Sequence, residues 1–292
     1  MNCKPFLVAH ARKLDLRLYE HLFEKASAQP VLDELVTYQN ADGGFGHSLE
    51  LDLGLPDSSV LATTIAFQYI LQIGVDTKET TSKAIAYLLQ AYDKSRHGWV
   101  NIPPAANDYP RAPWWNYPEV LSWADWGNPS AEILGYLLRY ADEASNHDLL
   151  AEITEQAINR LHAIDEPEPH EIKCYARLYK QANPPLQARL YDQLARCIRQ
   201  AAKTSPKDWQ GYIATPLTFI DAPDDPFADL FSKDLLLENA HYIRGQLLDG
   251  DHWEPNWEWG QFEADWAKAK WAWSGKLTVD NLKLLHSFGV TS

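Results

Sequence analysis

Four polar side chains fall within eleven residues of chain: His47, Glu50, Asp52 and Asp57. Carboxylates this crowded push one another's pKa upward, because a second negative charge is costly beside the first. One of them could then hold a proton at neutral pH and deliver it to a substrate as a general acid. The plainer alternative is that Asp57 or Ser58 caps the helix that follows and the others are solvated.

Two further groups of residues suit a binding wall. The run Asp251-His-Trp-Glu-Pro-Asn-Trp-Glu-Trp-Gly260 sets Trp253 and Trp257 among Glu254 and Glu258, the mixture of flat rings and acids found in sugar clefts. The same rings could instead fill a seam between the first and last elements. Arg111-Ala-Pro-Trp-Trp-Asn-Tyr117 places Trp114, Trp115 and Tyr117 in an irregular stretch. Adjacent tryptophans cannot share one helical core stripe, so at least one should line or cover a cleft. Asp221, Asp224 and Asp225, flanked by prolines, read as a solvated acidic turn. His170 and Cys174, four apart, could offer a metal two ligands, but two do not make a site. A buried cysteine beside a hydrogen-bonded histidine is the expectation there, and no metal or cofactor is implied.

The elements that must position these residues are helical. Apolar residues recur at helical spacing in nearly every segment, without sustained period-two alternation. The spacing predicts helices near 6–26, 30–39, 58–73, 78–93, 130–143, 169–182, 235–248 and 277–287. Leu149, Ile153, Ala157 and Leu161 mark another, opened by a capping box of Ser145 with Asp148. Leu186, Leu190, Leu194, Cys197, Ile198 and Ala201 mark one more. Two long stretches without periodicity, 96–127 and 205–227, are of the kind that carry function or cover a site.

Composition narrows the classes. The 292 residues carry 26 Lys and Arg against 40 Asp and Glu, a net charge of -14, so no basic stripe is available for nucleic acid or for an anionic membrane. Charge at Arg12, Lys13 and Asp15 interrupts any signal-peptide core, and no stretch is apolar enough for a membrane span, so a cytoplasmic protein is expected. Three scattered cysteines, Cys3, Cys174 and Cys197, suggest reduced thiols. The unusual feature is aromatic content: 12 Trp, 14 Tyr and 9 Phe.

A helix-terminating phrase recurs. Gln39-Asn-Ala-Asp-Gly43-Gly44-Phe45-Gly46 and Gln246-Leu-Leu-Asp-Gly250-Asp-His-Trp253 each run Gln, Gly, aromatic, with fainter echoes ending at Trp99 and Trp209. A Gln at a helix end can bond the last free carbonyls, Gly turns the chain with positive φ, and the ring folds back on the helix. On these residues the sequence resembles the prenyltransferase and squalene-cyclase (terpene-cyclase) repeat family. The resemblance implies an all-α fold: an α/α toroid of about ten to twelve helices in paired hairpins, one domain over 1–292.

It also implies a central funnel that binds an isoprenoid or similar apolar chain against aromatic walls. Phe45, Trp114, Trp115, Tyr117, Trp253, Glu254 and Trp257 are the expected substrate contacts, and His47, Glu50, Asp52 and Asp57 the expected catalytic set. Acid near Glu50 or Asp52 would start a cyclisation. The sequence departs from that family in lacking both an Asp-x-Asp-Asp and an Asp-x-Cys motif. Two other readings therefore stand beside it. One is a carbohydrate-active toroid, glycosidase or lyase, which would need Glu50 or Asp52 about 5 to 10 Å from Glu254 or Glu258. The other is a toroid that binds or scaffolds without chemistry. Oligomeric state is left open.

Overall fold

A computed structural model describes residues 1–75, 77–118 and 126–290. Among them are eleven α-helices and no β-strand: α1 Lys4–His10, α2 Lys13–Glu24, α3 Gln29–Val36, α4 Val60–Ile73, α5 Lys78–Gln90, α6 Gly127–Tyr140, α7 Glu143–His162, α8 Pro169–Gln181, α9 Pro184–Ala201, α10 Lys233–Gly245 and α11 Glu263–Ser287. The all-α expectation holds. None of these helices is long and apolar enough to cross a membrane. One apolar cluster runs from Cys3 to Val290, and a smaller one of Leu53, Leu55, Leu61, Ile102 and Ala106 lies beside it.

Several expected boundaries move for local reasons. The helix expected over 6–26 is two, broken where Arg12 adopts extended backbone and sends its guanidinium inward to Asp15. The cap of α4 is neither Asp57 nor Ser58 but Ser59, whose hydroxyl accepts from Ala62 N at 3.0 Å. The Ser145–Asp148 box does not form: α7 already begins at Glu143, and the Ser145 hydroxyl donates to Asp142 instead. The helix expected over 277–287 starts at Glu263 and is the longest in the chain. The turn at Asp221–Asp225 is not simply solvated, because Lys180 Nζ joins Asp221 and Asp225 at 2.6 Å each and leaves the Asp225 side chain 2% exposed.

The recurring phrase is a structural unit. Trp99 Nε1 donates to Leu88 O, Trp209 Nε1 to Lys203 O and Trp253 Nε1 to Ile243 O, at 2.6, 2.6 and 2.8 Å, so each ring is pinned to the chain before its turn. The backbone N–H groups of Phe45, Trp99 and Trp253 each donate to a buried hydroxyl of the next helix, those of Thr63, Ser130 and Thr278. The turn thereby links one helix pair to its successor. Gly43 (φ 92°) and Gly250 (φ 81°) supply left-handed turns. Gln39 does not cap its own helix as expected: its Nε2 donates to Gly43 O and to Thr80 O, tying the turn to α5.

Helix pairs α2 and α3, α4 and α6, α6 and α8, and α8 and α9 pack in succession, and α11 packs on α1 and α2, bringing the two ends of the chain together. Gln68 and Gln72 on α4, Lys173 and Arg177 on α8, and Lys276 and Asp280 on α11 are only partly exposed. They reach one another or their neighbours through Gln68–Glu132 (2.9 Å), Gln72–Lys283 (3.2 Å), Arg177–Glu132 (2.8 Å) and Lys276–Asp280 (2.8 Å).

Candidate functional site

The loop after α3 carries the acid cluster and divides it. His47 and Asp57 stay exposed, with His47 at φ 54° and its Nε2 2.9 Å from Asn40 Oδ1. Glu50 and Asp52 turn inward and are 7% and 4% exposed. The intervening leucines explain why: Leu49, Leu51, Leu53 and Leu55 are all buried, so the alternating acids must occupy the opposite side of the strip. Backbone bonds hold the strip to the 110–112 segment along one edge, from Gly54 N to Pro110 O (2.8 Å) and from Ala112 N to Asp52 O (2.9 Å).

Arg12 buttresses the same loop. It donates to Leu49 O at 3.0 Å, to Asp15 Oδ2 at 2.8 Å and to the Tyr69 hydroxyl at 2.9 Å, while that hydroxyl donates to Asp15. Each member of the buried charge pair is thus paired and hydrogen-bonded, the condition under which such a pair is tolerated.

Asp52 is gripped by indoles. Its Oδ1 accepts from Trp259 Nε1 and Trp273 Nε1, both at 2.7 Å, and the indoles of Trp257 and Trp114 bear on it as well. Burial raises the Asp52 pKa, and the indole N–H groups work against that rise by stabilising the anion. Trp257 Nε1, buried nearby, completes no hydrogen bond of ordinary geometry. Glu50 has no such grip. Burial first, and the Asp52 charge second, push its carboxyl to about 7, against the Asp52 backbone N–H, from which it accepts at 3.3 Å, and smaller pulls from Arg12 and Lys276. Burial raises both of these carboxyls, which lie two residues apart, and the indole N–H groups favour the anion of Asp52 over that of Glu50.

Rings climb from this floor toward solvent. Trp273 meets Trp257 edge-on at 5.1 Å, and Trp257 meets Tyr212 edge-on at 5.6 Å. Tyr212 and Trp114 are 60% and 47% exposed. Asn256 Nδ2 donates to Gly211 O at 2.6 Å and fixes the Tyr212 turn. The Tyr212 hydroxyl lies 2.7 Å from His170 Nε2, whose Nδ1 lies 2.6 Å from Glu168. Although the ring is largely exposed, loss of water around the hydroxyl raises the Tyr212 pKa to about 12, and the charges of Asp52, Glu168 and Glu50 add to the rise.

The other expected contacts scatter. Phe45 and Trp253 are core staples, 0% and 3% exposed. Glu254 is paired with Lys270 at 2.7 Å. Trp115 and Tyr117 pack on the small cluster around Leu53, leaving Trp114 to face the acids. His170 and Cys174 diverge, with Cys174 buried 3.5 Å from Glu132 Oε2. Trp259, Trp273 and Tyr212 were not singled out by the sequence. The alternation of Leu49, Leu51, Leu53 and Leu55 around Glu50 and Asp52 was the available signal that those two acids turn inward.

Comparison with known protein families finds no match, and comparison with curated proteins finds none either.

Proposed function

We propose that the helix pairs form an α/α toroid which binds a carbohydrate above Asp52 and breaks a glycosidic bond there. The recurrent stapled turn and the meeting of α11 with α1 and α2 support the toroid. The chemical reading rests on one observation: Glu50, held to about 7, sits beside an indole-clasped Asp52 at the foot of a partly exposed aromatic wall.

In this reading the Glu50 carboxyl gives its proton to the leaving oxygen as the C–O bond breaks toward that oxygen. The Asp52 carboxylate stabilises the positive charge left on the sugar carbon, water adds to that carbon, and its surplus proton returns to Glu50. Trp114, Trp257 and Tyr212 offer flat faces to sugar rings. The acid's strength favours this over cyclisation of an apolar chain. A carboxyl near 7 is matched to an ether oxygen leaving at neutral pH but is weak for protonating an isolated alkene. The partly exposed polar side chains of Gln68, Lys173, Arg177 and Lys276, on three of the helices, likewise suit a hydroxylated ligand better than a hydrocarbon.

The test is to incubate the protein with α- and β-linked oligosaccharides, neutral and acidic, and to measure new reducing ends. Ultraviolet absorbance of an unsaturated product would report elimination instead. Cleavage is expected, with a rate that falls as pH rises through about 7 and drops about 10²- to 10⁴-fold in Glu50→Gln. No cleavage across the set, together with new hydrocarbon from a polyprenyl diphosphate or squalene, overturns the proposal in favour of the apolar-chain reading.

A further inference from the structure

Three polar side chains stand in line at the outer end of the aromatic wall. Glu168 caps α8, its Oε2 accepting from Glu171 N at 2.9 Å, and its Oε1 lies 2.6 Å from His170 Nδ1. His170 Nε2 lies 2.7 Å from the Tyr212 hydroxyl, and the two rings stack with centroids 5.9 Å apart and planes 19° apart. Tyr212 is 60% exposed and yet held from three sides: by this imidazole, by the edge-on Trp257 ring at 5.6 Å, and by the Asn256 bond to Gly211 O, where the chain turns at φ 81°. A ring fixed beforehand binds at lower entropic cost, because the ligand need not order it.

The chemistry at one end of this line sets the direction of each bond in it. Burial pulls the Glu168 pKa up, but the bonds from His170 and from the backbone prevail and hold it below its ordinary value, so the group is an anion that only accepts. The proton between it and the imidazole is therefore on Nδ1, and Nε2 of the neutral ring offers a lone pair. Tyr212, a phenol that keeps its proton at neutral pH, donates to that lone pair. With its one proton committed, the Tyr212 oxygen has only lone pairs left for a ligand.

We propose that Glu168, His170 and Tyr212 form an outer subsite for one sugar unit, which lies on the exposed part of the Tyr212 ring and donates a hydroxyl to the Tyr212 oxygen. The inference rests on the carbohydrate reading and names its substrate class. Tyr212 is two ring spacings, 5.6 and 5.1 Å, out from the Trp273 ring that clasps Asp52, so the unit it holds is not the one cleaved. The ligand is an oligosaccharide with a free hydroxyl on a unit beyond the scissile bond. Glu168 and His170 touch no sugar in this arrangement and are positioning residues that act through Tyr212.

Two measurements on the full chain test it. Nitrogen-15 NMR reads the direction of the line: at pH 8 the histidine signal that disappears in His170→Ala should be that of a ring protonated on Nδ1, and a ring protonated on Nε2 overturns the proposal. Titration calorimetry with cellohexaose, xylohexaose, maltohexaose and hexagalacturonate tests the subsite. At least one hexamer should bind. Tyr212→Phe, which keeps the ring and loses the oxygen, should weaken that binding about three- to tenfold, and Tyr212→Ala, which loses both, should weaken it further. His170→Ala should weaken it too, and where the hexamer is cleaved its loss should fall on KM, with kcat within about twofold of wild type. Equal binding by wild type and Tyr212→Phe, shown folded by circular dichroism, overturns the subsite and leaves the Glu50 chemistry standing. No binding by any hexamer overturns both. Glu50→Gln separates the two claims from the other side: it should abolish cleavage and leave hexamer binding, and its dependence on Tyr212, intact.

Discussion

Glu50→Gln should stabilise the folded chain at pH 8 and do so far less at pH 5. The Glu50 carboxyl is 7% exposed, and burial together with Asp52 raises its pKa from 4.5 to about 7. A raised carboxyl pKa means that the folded state keeps a proton which the unfolded chain has already lost. Its contribution to stability is therefore fully present below pH 4.5, declines as pH rises, and is gone above about 7. Across that window the loss is about 3 kcal/mol, since each pKa unit is worth about 1.4 kcal/mol. Glutamine has the same shape and never ionises, so it escapes the loss. Urea unfolding of wild type and variant at the two pH values measures the difference; acids remote from Glu50 cancel because both proteins carry them, and Asp52, relieved of its neighbour's charge, shifts in the same stabilising direction. Equal stability at pH 8, or a variant weaker there than at pH 5 relative to wild type, would refute the claim that Glu50 resists ionisation. Greater stability with lost activity is the signature of a residue kept for chemistry at a cost to the fold.

Three other perturbations probe the supports of the site. Asp15→Ala leaves Arg12 charged in its buried setting and should cost about 3–5 kcal/mol in urea unfolding; a loss below 1 kcal/mol would mean that the Arg12–Asp15–Tyr69 group is not a unit. Gly46→Ala would set a methyl 2.3 Å from the carbonyl oxygens of Pro56 and Asp57. Forcing that loop apart should cost about 1–3 kcal/mol, and unchanged stability would show that the loop yields freely. Trp273→Phe removes one of the two indole donors on Asp52 Oδ1, so a carbon-13 titration should find the Asp52 pKa higher than in wild type; an unmoved or lowered value would contradict the indole clasp.

Much of the helical scaffold was legible because burial on one face writes itself into residue spacing. Leu186, Leu190 and Leu194 announce α9, and all three are buried. The aromatic staples were legible too, since turn and ring lie within a few residues of each other. Their partners were not. Thr63, Ser130 and Thr278 lie 18, 31 and 25 residues beyond the aromatic residues whose backbone N–H groups they accept, and no fixed interval marks them. The first half of α11 was hidden because Pro255 and Gly260 make the tryptophan run look irregular, and Trp273 belongs to helix rather than loop. Glu50 and Asp52 stood out as an acid cluster, but their separation from His47 and Asp57 depends on which side chains the leucine strip carries inward.

The grip on Asp52 has a temporal meaning. Its second indole, that of Trp273, lies 221 residues further along the chain. At about 5–20 residues per second of synthesis, roughly ten to forty seconds separate the acid from its clasp. Until then the carboxylate has water for company and an ordinary acid's behaviour. The last helix thus completes the setting of an acid that an early loop carries.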